Sequence, residues 1–159
     1  MARRLPAKIA AAAFAALLAA LPACADESAA PPAGSVSANQ LRARQQNAKK
    51  LWVFDARSKN EFDHEHIAGA RLPYGDEYYR GWDLYHQHAV REAPDGRVSL
   101  ERSTQELPRD AAIVTYCNRH CGLSQSLKVQ LEHLGFTNVH WLDGGIDVWR
   151  EKGYPVEKA

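Results

Sequence analysis

The chain beyond residue 36 alternates short apolar runs with polar segments. The runs that are long enough for a buried strand and too short for a helix lie at residues 51–54, 111–116 and 138–142. After the second run the apolar spacing changes, so that Leu127 and Leu131 share one face of a helix that Gly135 ends. A last helix carries Ile146 and Trp149. Strands that alternate with helices predict an α/β fold with a parallel sheet.

The N-terminal residues have the pattern of an export signal. Arg3, Arg4 and Lys8 precede an apolar stretch at 9–21, which is short for a bilayer span but suits a signal peptide. We therefore predict a signal peptide over residues 1–25 and a flexible linker, rich in Ala, Pro, Ser and Gly, over residues 26–36.

Two processing patterns overlap at the end of this signal. Residues 23–25 fit the small-x-small cleavage site of a secreted protein, whereas residues 21–24 resemble a bacterial lipobox in which Cys24 is lipidated. Both patterns predict a protein of the bacterial cell envelope, periplasmic and either soluble or lipid-anchored.

Length and charge limit the remaining possibilities. A chain of 159 residues holds one domain after such a leader. The formal net charge of +1, without a basic stripe, predicts no nucleic-acid binding and no membrane contact apart from a possible lipid anchor at Cys24.

Two cysteines, Cys117 and Cys121, remain if the leader is cleaved after Ala25. A disulfide between Cys117 and Cys121 would close a very small loop and stabilise the fold little, which favours reactive chemistry over a structural bridge. Cys117 ends the clearest strand and precedes a helix, where backbone N–H groups and the helix dipole stabilise a thiolate. Arg119 and His120 can add positive charge. The alternative interpretation is a buried, inert cysteine.

Four segments in one order resemble the rhodanese-like domain. They are VFDARS at 53–58 with Glu61 and Phe62, HIAGA in an expected loop at 66–70, IVTYC at 113–117, and GFTNV at 135–139 followed by LDGGIDVW at 142–149. The resemblance covers residues 37–157. It implies a three-layer α/β fold in which helices flank a central, mostly parallel sheet.

The resemblance also implies a sulfurtransferase that works without a metal or an organic cofactor. Cys117 would take the outer sulfur of a small-molecule donor such as thiosulfate and become a persulfide. The sulfur would then pass to cyanide, to a small-molecule thiol or to the thiol of a partner protein. The loop expected to bind the substrate comprises Asn118, Arg119, His120, Cys121, Gly122 and Leu123.

Three features depart from the family pattern. Active family loops often carry Arg or Lys near their end, where this chain has Gly122 and Leu123, and Arg119 is a possible substitute. The related tyrosine phosphatases need an arginine at the position that Leu123 occupies here, so phosphatase chemistry is not expected. Cys121 is either a resolving thiol, which would release sulfide and leave a disulfide, or a small residue that lines the loop.

The segment 74–110 is longer than the usual connection and is rich in aromatic residues. It is either a lid over Cys117 or an extra helix whose rings pack against the core. Three functions therefore remain open: a sulfurtransferase, a thiol-disulfide or persulfide redox protein that uses Cys117 and Cys121, and a non-catalytic binding module. The intact Cys117 argues against the third.

Overall fold

The computed structural model describes residues 30–47 and 50–159. The predictions for the signal peptide, and for lipidation at Cys24, lie outside the described residues and stay predictions. Within the described part, none of the helices is both long and apolar enough to cross a membrane.

The described residues form an α/β fold, as predicted. The strands are β1 (Ser35–Val36), β2 (Trp52–Asp55), β3 (His66–Ile67), β4 (Ile113–Tyr116), β5 (Val139–Leu142) and β6 (Val156–Glu157). The helices are α1 (Ala38–Asn47), α2 (Lys59–His64), α3 (Asp76–His86), α4 (Gly96–Thr104), α5 (Leu123–His133) and α6 (Gly145–Glu151). A four-stranded parallel sheet has the order β1-β5-β4-β2, and β3 pairs with β6 in a second sheet.

The main sheet carries a hydrophobic core on each of its faces. One cluster joins Leu41 of α1 to Trp149 of α6, and the other joins Leu100 of α4 to Leu127 and Leu131 of α5. These side chains are almost fully buried. Burial of each large apolar side chain contributes about 1.5–3 kcal/mol, so the two clusters hold the helices on the sheet.

Three of the described helices have a side chain that caps their N-terminus. The Ser37 hydroxyl accepts a hydrogen bond from the Gln40 N–H at 3.2 Å, at the start of α1. Ser58 and Glu61 form a reciprocal capping box at α2, and Asp95 caps α4. Such caps satisfy N–H groups that have no partner within the helix.

Two sequence-based expectations are corrected at short strands. The linker predicted over residues 26–36 ends earlier, because Ser35–Val36 forms β1 and pairs with Trp141 and Leu142 of β5. The loop expected at 66–70 begins with the strand β3, which pairs with β6. A strand of two residues is too short to show an alternating pattern, so neither was visible in the sequence.

Candidate active site at the Cys117 loop

The central strand β4 leads directly into the loop that begins at Cys117. All four residues of β4 are buried, and the strand pairs with β2 on one side and β5 on the other. The Thr115 hydroxyl donates to the Ser124 carbonyl oxygen at 2.8 Å, which joins the end of β4 to the first turn of α5. The loop is therefore closed at its base, at the carboxyl edge of the sheet where α/β proteins bind ligands.

Cys117 and Cys121 are joined by a disulfide, with their Cα atoms 5.9 Å apart. Cys117 is 1% exposed. Cys121 lies in the wall of a cavity of about 250 Å³, beside Trp141 and Asp143 at the end of β5. In this oxidised state Cys117 is not a free nucleophile, so any thiolate chemistry requires prior reduction of the bond.

The backbone N–H groups of the loop are only partly available to a ligand. The Arg119 N–H donates to Asp147 Oδ2 at 2.8 Å, and the Cys121 N–H donates to the Asn118 carbonyl oxygen at 3.2 Å. By contrast, α5 begins after Gly122 without a side-chain cap and without an acidic residue in its first turn. The N–H groups of that turn can stabilise a thiolate or a bound anion.

Carboxylates surround the polar side chains of the loop. The Arg119 guanidinium pairs with Glu151 Oε2 at 2.5 Å, so its charge is already balanced and it does not act as the free cation that we considered from the sequence. Asn118 donates to Glu61 Oε1 at 3.1 Å. His120 is exposed. Thus Arg119 and Asn118 anchor the loop to α6 and α2.

Asp147 and Glu151 were not assigned to the site from the sequence. They lie one turn apart on α6, an arrangement that is visible in the sequence, but their partner Arg119 is 28 or more residues away. Burial acts to raise the pKa of Glu61, yet the hydrogen bonds from Ser58 and Asn118 outweigh this and hold the pKa below its usual value.

Gly145, the first residue of α6, lies directly against the Cys117 backbone. Its φ is +59°, and the N–H of the next residue, Ile146, donates to the Cys117 carbonyl oxygen at 2.9 Å. A Cβ atom on Gly145 would lie 2.1 Å from that same oxygen. Glycine at 145 therefore permits both the left-handed backbone and the close approach of α6 to Cys117.

We expect Gly145→Ala to lower the free energy of unfolding by about 2–4 kcal/mol. The added Cβ would clash with the Cys117 carbonyl oxygen, and alanine would also be strained at the positive φ of this position. Gly153→Ala is the matched control. Gly153 has a φ of +67° and nothing within 4 Å of an added Cβ, so only the backbone strain applies. That strain is about 1 kcal/mol. Urea unfolding of both variants measures the difference, and equal losses would contradict the assigned contact.

A buried polar network lies behind the loop. The Asp55 carboxylate accepts hydrogen bonds from the Arg57 side chain, at 2.6 Å from Nη2, and from the Tyr116 hydroxyl at 2.6 Å. The Tyr116 hydroxyl in turn accepts from the Ile67 N–H at 3.1 Å. Burial and the Asp55 carboxylate raise the pKa of Tyr116 well above its usual value, so the phenol stays protonated. Asp55 and Arg57 thus form a buried ion pair.

The first part of the aromatic segment forms α3, and none of the residues of α3 is fully buried. Tyr74, just before α3, is half-buried and packs against the hydrophobic cluster of α4 and α5. Rings at four-residue spacing form a row, in which Tyr74 and Tyr78 lie 4.1 Å apart between centroids and Trp82 and His86 lie 5.4 Å apart. These four rings line a groove of about 440 Å³ whose opposite wall includes Leu123. We call it the aromatic groove.

Comparison with known protein families identifies the family to which this fold belongs. The rhodanese-like domain matches residues 37–152. This range is most of the chain, and the protein belongs to the rhodanese-like domain family. None of the curated proteins matches the sequence significantly.

Solved structures share the fold at low sequence identity. A rhodanese-related protein from Thermoplasma volcanium has a TM-score of 0.53 and 24% identity, over 79% of this chain and 98% of that one. A thiosulfate sulfurtransferase from Pseudomonas aeruginosa has a TM-score of 0.53 and 20% identity, over 79% of this chain and 20% of that one. A 3-mercaptopyruvate sulfotransferase from Escherichia coli has a TM-score of 0.55 and 17% identity, over 79% of this chain and 52% of that one.

Proposed function

We propose that the protein is a sulfurtransferase that carries a sulfane sulfur on Cys117. The observation that carries this proposal is the position of Cys117, between the central strand β4 and the uncapped N-terminus of α5. First-turn N–H groups and the helix dipole lower the pKa of a thiol placed there, which supplies the nucleophile once the disulfide is reduced.

The proposed cycle has two transfers. The Cys117 thiolate attacks the outer sulfur of a donor such as thiosulfate, the S–S bond of the donor breaks, and sulfite leaves with the electron pair. An acceptor then attacks the outer sulfur of the persulfide, and the electron pair of the broken bond returns to Cys117 as thiolate. With cyanide as acceptor the product is thiocyanate.

A second candidate function is favoured by the Cys117–Cys121 bond itself. In this alternative the Cys121 thiolate attacks the Cys117 Sγ atom of the persulfide, and hydrosulfide leaves with the electron pair. The resulting disulfide needs two electrons and two protons from an external thiol reductant before the next cycle. Such a pair would suit the oxidising cell envelope in which residues 1–25 suggest the protein resides.

Mass spectrometry of the loop peptide tests the first proposal. The protein, reduced with a dithiol and freed of it, is mixed with thiosulfate, and the peptide that contains Cys117 is expected to gain one sulfur atom. Addition of cyanide is expected to remove that atom and release an equal amount of thiocyanate. A folded, reduced protein that gains no sulfur from thiosulfate or from an organic persulfide would overturn the sulfurtransferase proposal.

A further inference from the structure

The aromatic groove joins the Cys117 loop at the edge of the main sheet. Ala56 lies in its wall, and the Ala56 N–H donates to the carbonyl oxygen of Tyr116, the residue before Cys117, at 2.8 Å. On the other side the groove includes Leu123, the last residue expected in the substrate-binding loop. The groove wall thus includes the last residue of the loop and is hydrogen-bonded to the residue that precedes Cys117.

The groove is of the right size and character for a small apolar molecule. Its volume of about 440 Å³ falls in the range of ~300–1,000 Å³ that is typical of small-molecule sites. Tyr78, Trp82 and His86 present ring faces or edges along its length, and Leu123 is 55% exposed at the end next to the loop. Apolar surface left open beside a reactive group commonly marks a ligand site.

The charges in the groove do not favour an anion. Its arginine and its lysine are each paired with a carboxylate: Arg57 with the buried Asp55 at 2.6 Å, and Lys59 with Asp63 at 2.7 Å. Burial raises the pKa of Tyr74 to about 12, so this phenol is neutral at physiological pH. A ligand here gains from ring stacking and apolar contact more than from ion pairing.

We propose that the aromatic groove binds the body of an organic thiol that accepts sulfur from Cys117, and that this body is aromatic. The proposal rests on the proposed sulfurtransferase function. The thiolate of the acceptor attacks the outer sulfur of the Cys117 persulfide, the S–S bond breaks with its electron pair on Cys117, and the acceptor leaves as its own persulfide. The row of rings at residues 74, 78, 82 and 86 stacks on the acceptor's ring and aims its sulfur at the loop.

A comparison of acceptors tests this selectivity on protein whose Cys121 has been replaced by serine, so that no disulfide competes. Benzyl mercaptan is expected to show a KM about tenfold below that of 2-mercaptoethanol. The reason is that the energy of one stacked ring corresponds to about a tenfold change in affinity. Trp82→Ala is expected to remove most of this advantage, because it raises the KM for benzyl mercaptan more than the KM for 2-mercaptoethanol. Equal KM values for the two thiols would overturn the proposal.

Leu84→Ala is the matched control for Trp82→Ala. Leu84 lies on the same helix, is 40% exposed, and does not line the groove. It is expected to leave the KM for both thiols unchanged. If Leu84→Ala and Trp82→Ala reduce the use of benzyl mercaptan equally, the effect belongs to the stability of α3, and the groove is not the acceptor site.

A binding titration separates failure of the groove from failure of the sulfurtransferase. Benzyl methyl sulfide has the same ring but no thiol, and it is titrated into Cys117→Ser protein while chemical shifts of the groove residues are followed by NMR. Shifts confined to the groove, and lost in Trp82→Ala, support the site even if no acceptor receives sulfur. Absence of binding at millimolar concentrations would overturn the proposal even if transfer to cyanide occurs.

Discussion

Replacement of Cys117 by serine is expected to lower the rate of sulfur transfer by on the order of 10³-fold or more, because it removes the thiol that we propose as the carrier of the sulfur. A serine hydroxyl is almost fully protonated at neutral pH and is a far weaker nucleophile toward sulfur than a thiolate. The measurement is the initial rate of thiocyanate formation from thiosulfate and cyanide, with both proteins folded to the same extent.

Cys121→Ser is the companion variant, and it separates the two proposed functions. Cys117 is bonded to Cys121 and is buried, so wild-type protein is expected to need a dithiol before it turns over. Cys121→Ser protein cannot form this bond and is expected to work without that treatment. If transfer fails in Cys121→Ser although Cys117 is free, the resolving role of Cys121 is essential and the redox function replaces the transferase.

The contrast between these two variants bears on why the loop has a second cysteine at all. A bridge across four residues closes too small a loop to stabilise the fold appreciably. It does, however, remove the thiolate of Cys117 from reaction. The bond between Thr115 and Ser124 ties the ends of β4 and α5 without involving either cysteine, so we expect these two elements to keep their places when the bridge is reduced.

The sequence identified the parts of the fold that have a regular pattern. The apolar run before Cys117 and the spacing of Leu127 and Leu131 predicted β4 and α5, and with them the position of the candidate nucleophile. The two-residue strands β1, β3 and β6 were missed, because pairing partners that are far apart in the chain leave no local signal.

The surroundings of the site were less accessible to sequence reasoning. Arg119 was considered as a substrate cation, and only the fold reveals that α6 presents Asp147 and Glu151 to it. The four-residue spacing of the rings at 74, 78, 82 and 86 is visible in the sequence. The groove that these rings line also needs its opposite wall, which is formed by α5 and the residues after β2. Contacts between distant segments are set by topology, which local patterns do not encode.

The buried pair of Asp55 and Arg57 leads to the second large expected effect. Asp55→Ala is expected to lower the free energy of unfolding by about 3–5 kcal/mol, because it leaves the Arg57 guanidinium buried without its partner. Both side chains are at most 3% exposed, and the Tyr116 hydroxyl loses its acceptor at the same time. Urea denaturation followed by circular dichroism measures the change.

A double variant distinguishes the effect of this unpaired charge from a general loss of packing. Asp55→Ala combined with Arg57→Met is expected to be more stable than Asp55→Ala alone, because the buried charge is gone and the methionine fills much of the same space. The exposed pair of Lys59 and Asp63 is the control: Lys59→Ala should cost no more than about 0.5 kcal/mol. If the double variant is no more stable than Asp55→Ala, the penalty lies in the lost hydrogen bond from the Tyr116 hydroxyl and not in the unpaired charge of Arg57.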